Sequence, residues 1–273
     1  QVLEKLSTVI DPDLKKDIVS MGMIKDLELN DGDLKFTLEL TTPACPFNVE
    51  IEDDVRKVIA ELSDLKNFDL NVTAKVMEGR SLEADTQMAT VKNIIGVASG
   101  KGGVGKSTVS LNLALALSQT GAKVGLLDAD IYGPSIPLML GMKDGSMEVE
   151  DNKLQPADCN GLKVVSFGFF ADQSNQAAIY RGPIISGILK QFLVDTNWSE
   201  LDYLIVDLPP GTGDIPLTLA QTIPITGILV ITTPQDVASN VAVKAVSMFE
   251  KLNVPIIGVI ENMSHFICPN CDD

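Results

Sequence analysis

This 273-residue chain holds a single histidine, His265, and only four cysteines. One histidine argues against histidine-based acid–base or triad chemistry. Four cysteines in a chain of this length do not make a disulfide framework. Basic residues are scarce as well: 21 Lys and Arg stand against 37 Asp and Glu, a formal net charge of −16. A nucleic-acid surface needs clustered Lys and Arg, so this balance speaks against one. The plain reading of the acidity is solubility. No apolar run reaches the length of a membrane span, and no signal-peptide pattern opens the sequence. The chain starts at Gln1 rather than Met, which gives that second absence little weight.

What is present is concentrated in one stretch, Gly100-Lys101-Gly102-Gly103-Val104-Gly105-Lys106-Ser107-Thr108. It fits the G-x-x-x-x-G-K-[ST] phosphate loop and carries an extra lysine, Lys101. An apolar run at 94–98 precedes it and reads as a buried strand; an apolar run at 109–117 follows and reads as a helix. Strand, glycine loop, helix is the context this motif needs. Gly102, Gly103 and Gly105 are expected to free the backbone so that its N–H groups, with that of Val104, converge on phosphate oxygens. The helix starting near Lys106 aims its positive end at the same anion. Lys106 is expected to reach the β- and γ-phosphates, and the Ser107 hydroxyl to ligate Mg²⁺.

The surrounding pattern changes along the chain. Residues 1–80 read as a small α+β domain: a helix at 2–10, strands at 23–29 and 34–40 around an Asp31-Gly32 turn, a helix at 49–62 and a strand at 70–77. The chain then turns polar and aperiodic from 78 to 90, with 81–90 as the linker. From 91 to 273 strands and helices alternate. Strands are expected at 94–98, 124–128, 164–167, 203–207, 228–232 and 256–260. Near-continuous apolar runs of this kind are buried on both faces, so the fold class is α/β, with a mainly parallel sheet flanked by helices.

Two of these strands end in acids. Asp207 closes an apolar run and precedes the glycine-rich 211–213, which reads as an acid near Mg²⁺ followed by a loop able to approach a γ-phosphate. Asp128 and Asp130 stand two apart at the end of another strand. In an extended segment both point to one side, so that one holds the metal shell and the other orients the attacking water.

The cysteines divide into two kinds. Cys268-Pro269-Asn270-Cys271 is a C-x-x-C whose sulfurs can face one metal. Two thiolates fill half of a four-ligand site, and a second chain across a two-fold axis can supply the rest. Spacing leaves iron–sulfur and zinc open; a redox dithiol fits less well, because that motif opens a helix early in a thioredoxin-like unit. His265 lies close enough to join a metal site, though a plain loop histidine is the simpler reading. Cys45 falls where a strand ends and a helix begins. It reads equally as a thiol activated by a helix N-terminus and as a buried structural residue. Cys159 is assigned no role.

Together these motifs resemble the Mrp/ApbC-type iron–sulfur carrier ATPases within the MinD/ParA class of P-loop NTPases, over residues 91–273. The residues that carry the resemblance are the loop with Lys101, Asp128 to Ser135, Arg181-Gly182-Pro183, Asp207 to Asp214, Thr232 to Gln235, Glu261 to Ser264 and the Cys268/Cys271 pair. Residues 1–80 resemble the SufT/PaaD-like domain of iron–sulfur assembly, through Asp11-Pro12-Asp13 and Thr41 to Pro46.

The resemblance implies a homodimer in which Lys101 reaches the partner's ATP and Asp130 orients water. It implies that Ser107, Asp128 and Asp207 serve Mg²⁺, that Asn262 and Pro234 belong to the nucleotide pocket, and that Cys268 and Cys271 of two subunits bridge a 4Fe–4S cluster. The cluster would come from scaffold donors and pass to recipient apoproteins, with no nucleic-acid or membrane partner. The compartment expected is the cytoplasm, or an organelle stroma or matrix if a transit peptide has been removed. Family members continue beyond the cysteine pair, so the domain is read as truncated at Asp273. The same loop also fits a MinD/ParA-like spatial-organisation ATPase or an ATP-coupled electron-transfer protein.

Overall fold

The computed structural model describes residues 2–62, 65–76, 88, 90–142, 147–151, 153–169 and 182–265; for 182–186, 214 and 222 only the backbone is described. The chain divides into two compact units, residues 1–77 and 78–273.

In the first unit α1 (Val2–Leu6) is followed by β1 (Ile24–Asn30), β2 (Asp33–Leu40), α2 (Asn48–Ala60) and β3 (Asn67–Ala74). The strands form one sheet in the order β1-β2-β3. β1 and β2 pair antiparallel up to Asn30 opposite Asp33. Asp31 and Gly32 both have positive φ, as a two-residue hairpin turn of this hand requires. β3 returns parallel to β2 along its whole length. That pairing explains why β3 begins at Asn67 rather than at residue 70. The expected first helix stops at Leu6 because the Ser7 and Thr8 hydroxyls bond back to the carbonyls of Glu4 and Lys5, after which Ile10 bridges to Asp17. Leu6, Ile18, Phe36, Leu38, Ile51 and Val55 fill the core beneath α2.

In the second unit the elements are β4 (Val91–Ser99), α3 (Lys106–Gln119), β5 (Val124–Asp128), α4 (Ile136–Met139), β6 (Val149–Glu150), β7 (Lys153–Leu154), β8 (Ala157–Cys159), β9 (Leu162–Ser166), a 3-10 turn at Phe167–Phe169, α5 (Gly182–Val194), β10 (Leu201–Asp207), α6 (Asp214–Thr222), β11 (Gly227–Thr232), α7 (Asp236–Lys251) and β12 (Ile256–Glu261). Seven strands form the main sheet in the order β12-β11-β4-β10-β5-β9-β8. All neighbours run parallel except the edge pair β8–β9. Sequence reasoning missed β8, although Asn160-Gly161 carries it: both residues have positive φ, and Cys159 pairs with Leu162 across them. β6 and β7, two residues each, are too short to leave a periodic signal.

Side chains of α5, α6 and α7, among them Leu189, Leu193, Leu219 and Phe249, join one sheet face in a common core. α3 and α4 belong to a second core on the other face through Leu111, Ala114 and Ile136. Every residue of β5 is buried, as expected of a strand covered on both sides. Because β4, β10, β5, β11 and β12 are parallel, their C-terminal ends emerge at one edge. Such an edge is where open parallel sheets bind ligands.

Candidate phosphate site

The glycine loop leaves β4 at that edge and turns into α3 at Lys106. Gly105 forms the cap at φ 89 and ψ 18, a left-handed conformation that suits glycine. A Cβ there would also run into the Asn262 amide. Gly100 has a different reason to be glycine: a Cβ would stand 2.6 Å from the backbone carbon of Val241 on α7. Gly102 has neither a positive φ nor a close neighbour, so the conformational freedom expected of it is not what its position uses.

Lys106 is the centre of the site. It is buried on the sheet-facing side of α3, and its Nζ lies 2.8 Å from Asp207 Oδ1 and 3.7 Å from Asp130 Oδ2. Ser107 donates to Asp207 Oδ2 at 2.5 Å. Ser110, one helical turn after Lys106, donates to Asp207 Oδ1 at 2.7 Å. Asp207 thus has both oxygens engaged and no exposed surface. Ser110 was missed in the sequence. Its signal was there: a polar residue four after Lys106 lies on the same helix face.

The loop is tied to its neighbours by the backbone. Gly211 N–H donates to the Ser99 carbonyl at 2.7 Å, joining the loop after β10 to the end of β4. Asn262 Nδ2 donates to the Val104 carbonyl at 2.9 Å, and its Oδ1 accepts from Met263 N–H at 3.0 Å. The Asn262 side chain is therefore bonded to the glycine loop itself. Lys101, Thr108 and Pro234 are exposed around it.

Asp128 and Asp130 both feel the Asp207 charge, but their direct partners differ. β5 ends at Asp128, and the chain turns: Ile131 N–H donates to the Ala129 carbonyl and Gly133 N–H to that of Asp130. Asp130 meets Lys106, as above. Asp128 is fully buried and accepts from the N–H groups of Asp130 and Ile136 and from the Ser166 hydroxyl. Burial first, and then the Asp207 charge facing it across the paired strands, pushes the Asp128 carboxyl up to about 7. The Asp130 carboxyl also rises, chiefly by burial; the Lys106 ammonium pulls it down and the Asp207 charge adds to the rise.

The chemistry of the donor set suits a divalent cation that prefers oxygen. Ser107 and Asp207 present hydroxyl and carboxylate oxygens side by side, beside a helix N-terminus open to an anion. Among the described residues no group of three or more His, Cys, Asp or Glu side chains could hold a metal ion. A cation at Ser107 and Asp207 would complete its shell with phosphate oxygens and water.

Cys45 lies three residues before α2, with its Sγ 3.8 Å from the Asp13 carboxylate. It is only half-buried and so is not a sealed core residue. Cys268 and Cys271 lie outside the described residues. His265 is exposed, and its Nδ1 pairs with the Ser264 hydroxyl at 3.2 Å.

A parallel sheet whose central strand feeds a glycine loop and a capped helix, with a strand-end acid on the loop lysine, defines a P-loop NTPase. The chain belongs to the NUBPL iron-transfer P-loop NTPase family, whose profile matches residues 90–273. Residues 1–68 match a second family, described as iron–sulfur cluster assembly protein. An iron-sulfur cluster carrier protein from a Synechocystis strain is 47% identical over 276 residues, covering 100% of this chain and 78% of its own. A chloroplastic Fe-S cluster assembly factor from Arabidopsis thaliana is also 47% identical, over 97% of this chain, which spans 50% of that relative. Among solved structures, a nucleotide-binding protein from Archaeoglobus fulgidus in complex with ADP is 42% identical, with a TM-score of 0.60 over 68% of this chain and 73% of that one.

Proposed function

We propose that this protein is an ATP-dependent iron–sulfur cluster carrier, binding and hydrolysing ATP to control how a 4Fe–4S cluster is assembled and handed on. The observation that carries the nucleotide half is the buried Lys106, held between Asp207 and Asp130 at the mouth of the glycine loop. An ammonium so placed has only to turn from Asp207 to reach phosphate oxygens arriving at the α3 N-terminus. Ser107 and Asp207 hold Mg²⁺, which neutralises charge on the phosphates. Asp130 orients a water on the γ-phosphate. The water oxygen bonds to phosphorus, the bond to the β-phosphate oxygen breaks, and the proton leaves through Asp130. Its raised carboxyl is suited to accepting one. Lys101 reaches the partner's nucleotide in a homodimer, and Asn262 and Pro234 border the adenine.

The iron half rests on family membership, on the names of the relatives and on the C-x-x-C. Cys268 and Cys271 from two subunits hold one cluster, which scaffold donors supply and recipient apoproteins take up. Residues 1–80 act as a separate domain joined through 81–90. The acidic surface and the lack, among the described residues, of any helix long and apolar enough to cross a membrane fit work on soluble partners, in the cytoplasm or in an organelle stroma or matrix.

The experiment is anaerobic reconstitution with iron and sulfide, followed by metal, sulfide and mass analysis. About four irons per dimer are expected, lost in Cys268→Ala and Cys271→Ala. Zinc without sulfide would make the pair structural, and would move the weight to a positioning ATPase.

A further inference from the structure

We propose that Asp128 is a positioning residue that fixes the loop bearing Asp130 onto the 3-10 turn after β9, and is not a ligand of the metal. The inference rests on the reading of the site as ATP-hydrolysing and adds a residue set to it.

Asp128 has no exposed surface, and three donors occupy its oxygens. Oδ1 accepts from the Asp130 N–H at 3.3 Å; Oδ2 accepts from the Ile136 N–H at 3.2 Å and from the Ser166 hydroxyl at 3.0 Å. The two N–H groups lie at either end of the turn that runs from β5 to α4. One carboxylate therefore holds both ends of the turn.

The third bond leads to another element. Ser166 is the last residue of β9 and fully buried, and its Oγ accepts from the Gly168 N–H at 3.0 Å. Gly168 packs directly on the turn: a Cβ there would stand 3.2 Å from Pro137 and 3.3 Å from Pro134. Hydrogen bonds and packing thus join the same two segments, and Asp130 sits at the start of the one that approaches Lys106.

Asp207 is equally buried and also meets three donors, but these are the side chains of Lys106, Ser107 and Ser110. Lys106 and Ser107 can turn to a phosphate and a cation and so free an oxygen, whereas two of the three donors on Asp128 are backbone N–H groups fixed at either end of its turn. The chemistry assigned to Asp130 instead needs Asp128 to keep them, because a water-orienting carboxylate loses effect when displaced by a fraction of an ångström.

The test uses the full chain with Ser166→Ala and Asp128→Asn, measuring phosphate release, its Mg²⁺ dependence and ADP affinity. Ser166 is fully buried, its hydroxyl bonds to Asp128 and Gly168, and it is not among the residues assigned to nucleotide or cation, so its variant reports positioning. We expect kcat to fall about tenfold in D128N and about threefold in S166A, with ADP affinity and half-saturating Mg²⁺ unchanged in both. A several-fold rise in half-saturating Mg²⁺ in D128N, with S166A like the wild type, overturns the proposal and makes Asp128 a metal ligand. Unchanged kcat in both overturns it too. If D128N does not fold, S166A decides: wild-type kcat sinks the proposal. A wild-type protein that hydrolyses no ATP removes the underlying reading, and the proposal falls with it.

Discussion

Lys106 Nζ and Asp207 Oδ1 are 2.8 Å apart, with 6% of the lysine side chain and none of the aspartate exposed to solvent. The ammonium proposed to serve the phosphates is therefore already neutralised by a protein acid. Such a pair is costly to break from one side, because the survivor is a buried charge without its counter-ion. Asp207→Ala leaves Lys106 the Ser107 hydroxyl at 3.3 Å and, as counter-ion, Asp130 at 3.7 Å. The nucleotide-free protein is expected to lose about 3 kcal/mol of unfolding free energy, read from urea denaturation. A loss under about 1 kcal/mol would mean that the pair is not formed at rest.

Lys106→Ala removes the same pair but also the group proposed to meet phosphate. ADP affinity is expected to fall at least about a hundredfold by calorimetric titration. Affinity within a few-fold of wild type would take Lys106 out of the nucleotide site. Comparing the two variants separates stability from binding, since each removes one end of a single contact.

The nucleotide half of this site was legible because its signals are local. The loop at 100–108 needs a strand before it and a helix after it, and both are written in adjacent residues. Asp207 was legible as the acid closing an apolar run. The parallel order was legible from runs buried on both faces. What the sequence hid lies between distant segments. Ser110 and Asp207 are 97 residues apart, and Ser166 and Asp128 are 38 apart, so no spacing rule links them. Asp128 and Asp130 both lie near the Asp207 charge, but alternation could not foresee their different partners, because β5 ends at Asp128 and the chain turns there. The β8 hairpin was legible but overlooked: Asn160-Gly161 joins strands of three and five residues, which periodicity over longer windows does not register.

Ser110→Ala tests whether that long-range contact matters. The fully buried hydroxyl shares its one proton between Asp207 Oδ1 at 2.7 Å and the Lys106 carbonyl at 3.0 Å. Its removal leaves a fully buried Asp207 with one fewer donor. A loss of about 1 to 2 kcal/mol in thermal or urea unfolding is expected. Nucleotide affinity should weaken only modestly, because Ser107 still holds the other oxygen. Stability equal to wild type would show that Asp207 is fixed by Lys106 and Ser107 alone.

The raised Asp128 carboxyl makes stability depend on pH in a direction opposite to that of a salt-bridged acid. Its ordinary value is 3.8 and its folded value is about 7, so between the two the folded chain holds a proton that the unfolded chain has released. That proton favours the folded state. The contribution is complete below the unfolded value and disappears as pH rises through about 7. Asp128→Asn keeps a neutral side chain at every pH and so lacks this dependence. The stability of wild type relative to D128N should therefore fall by about 2 to 3 kcal/mol between about pH 5 and about pH 8, in paired urea melts. Using the variant as reference cancels the titration of the many exposed acids, whose surroundings it does not change. A difference that stays flat across the range would mean that Asp128 is ionised throughout. The three donors around it would then outweigh its burial and the charge of Asp207.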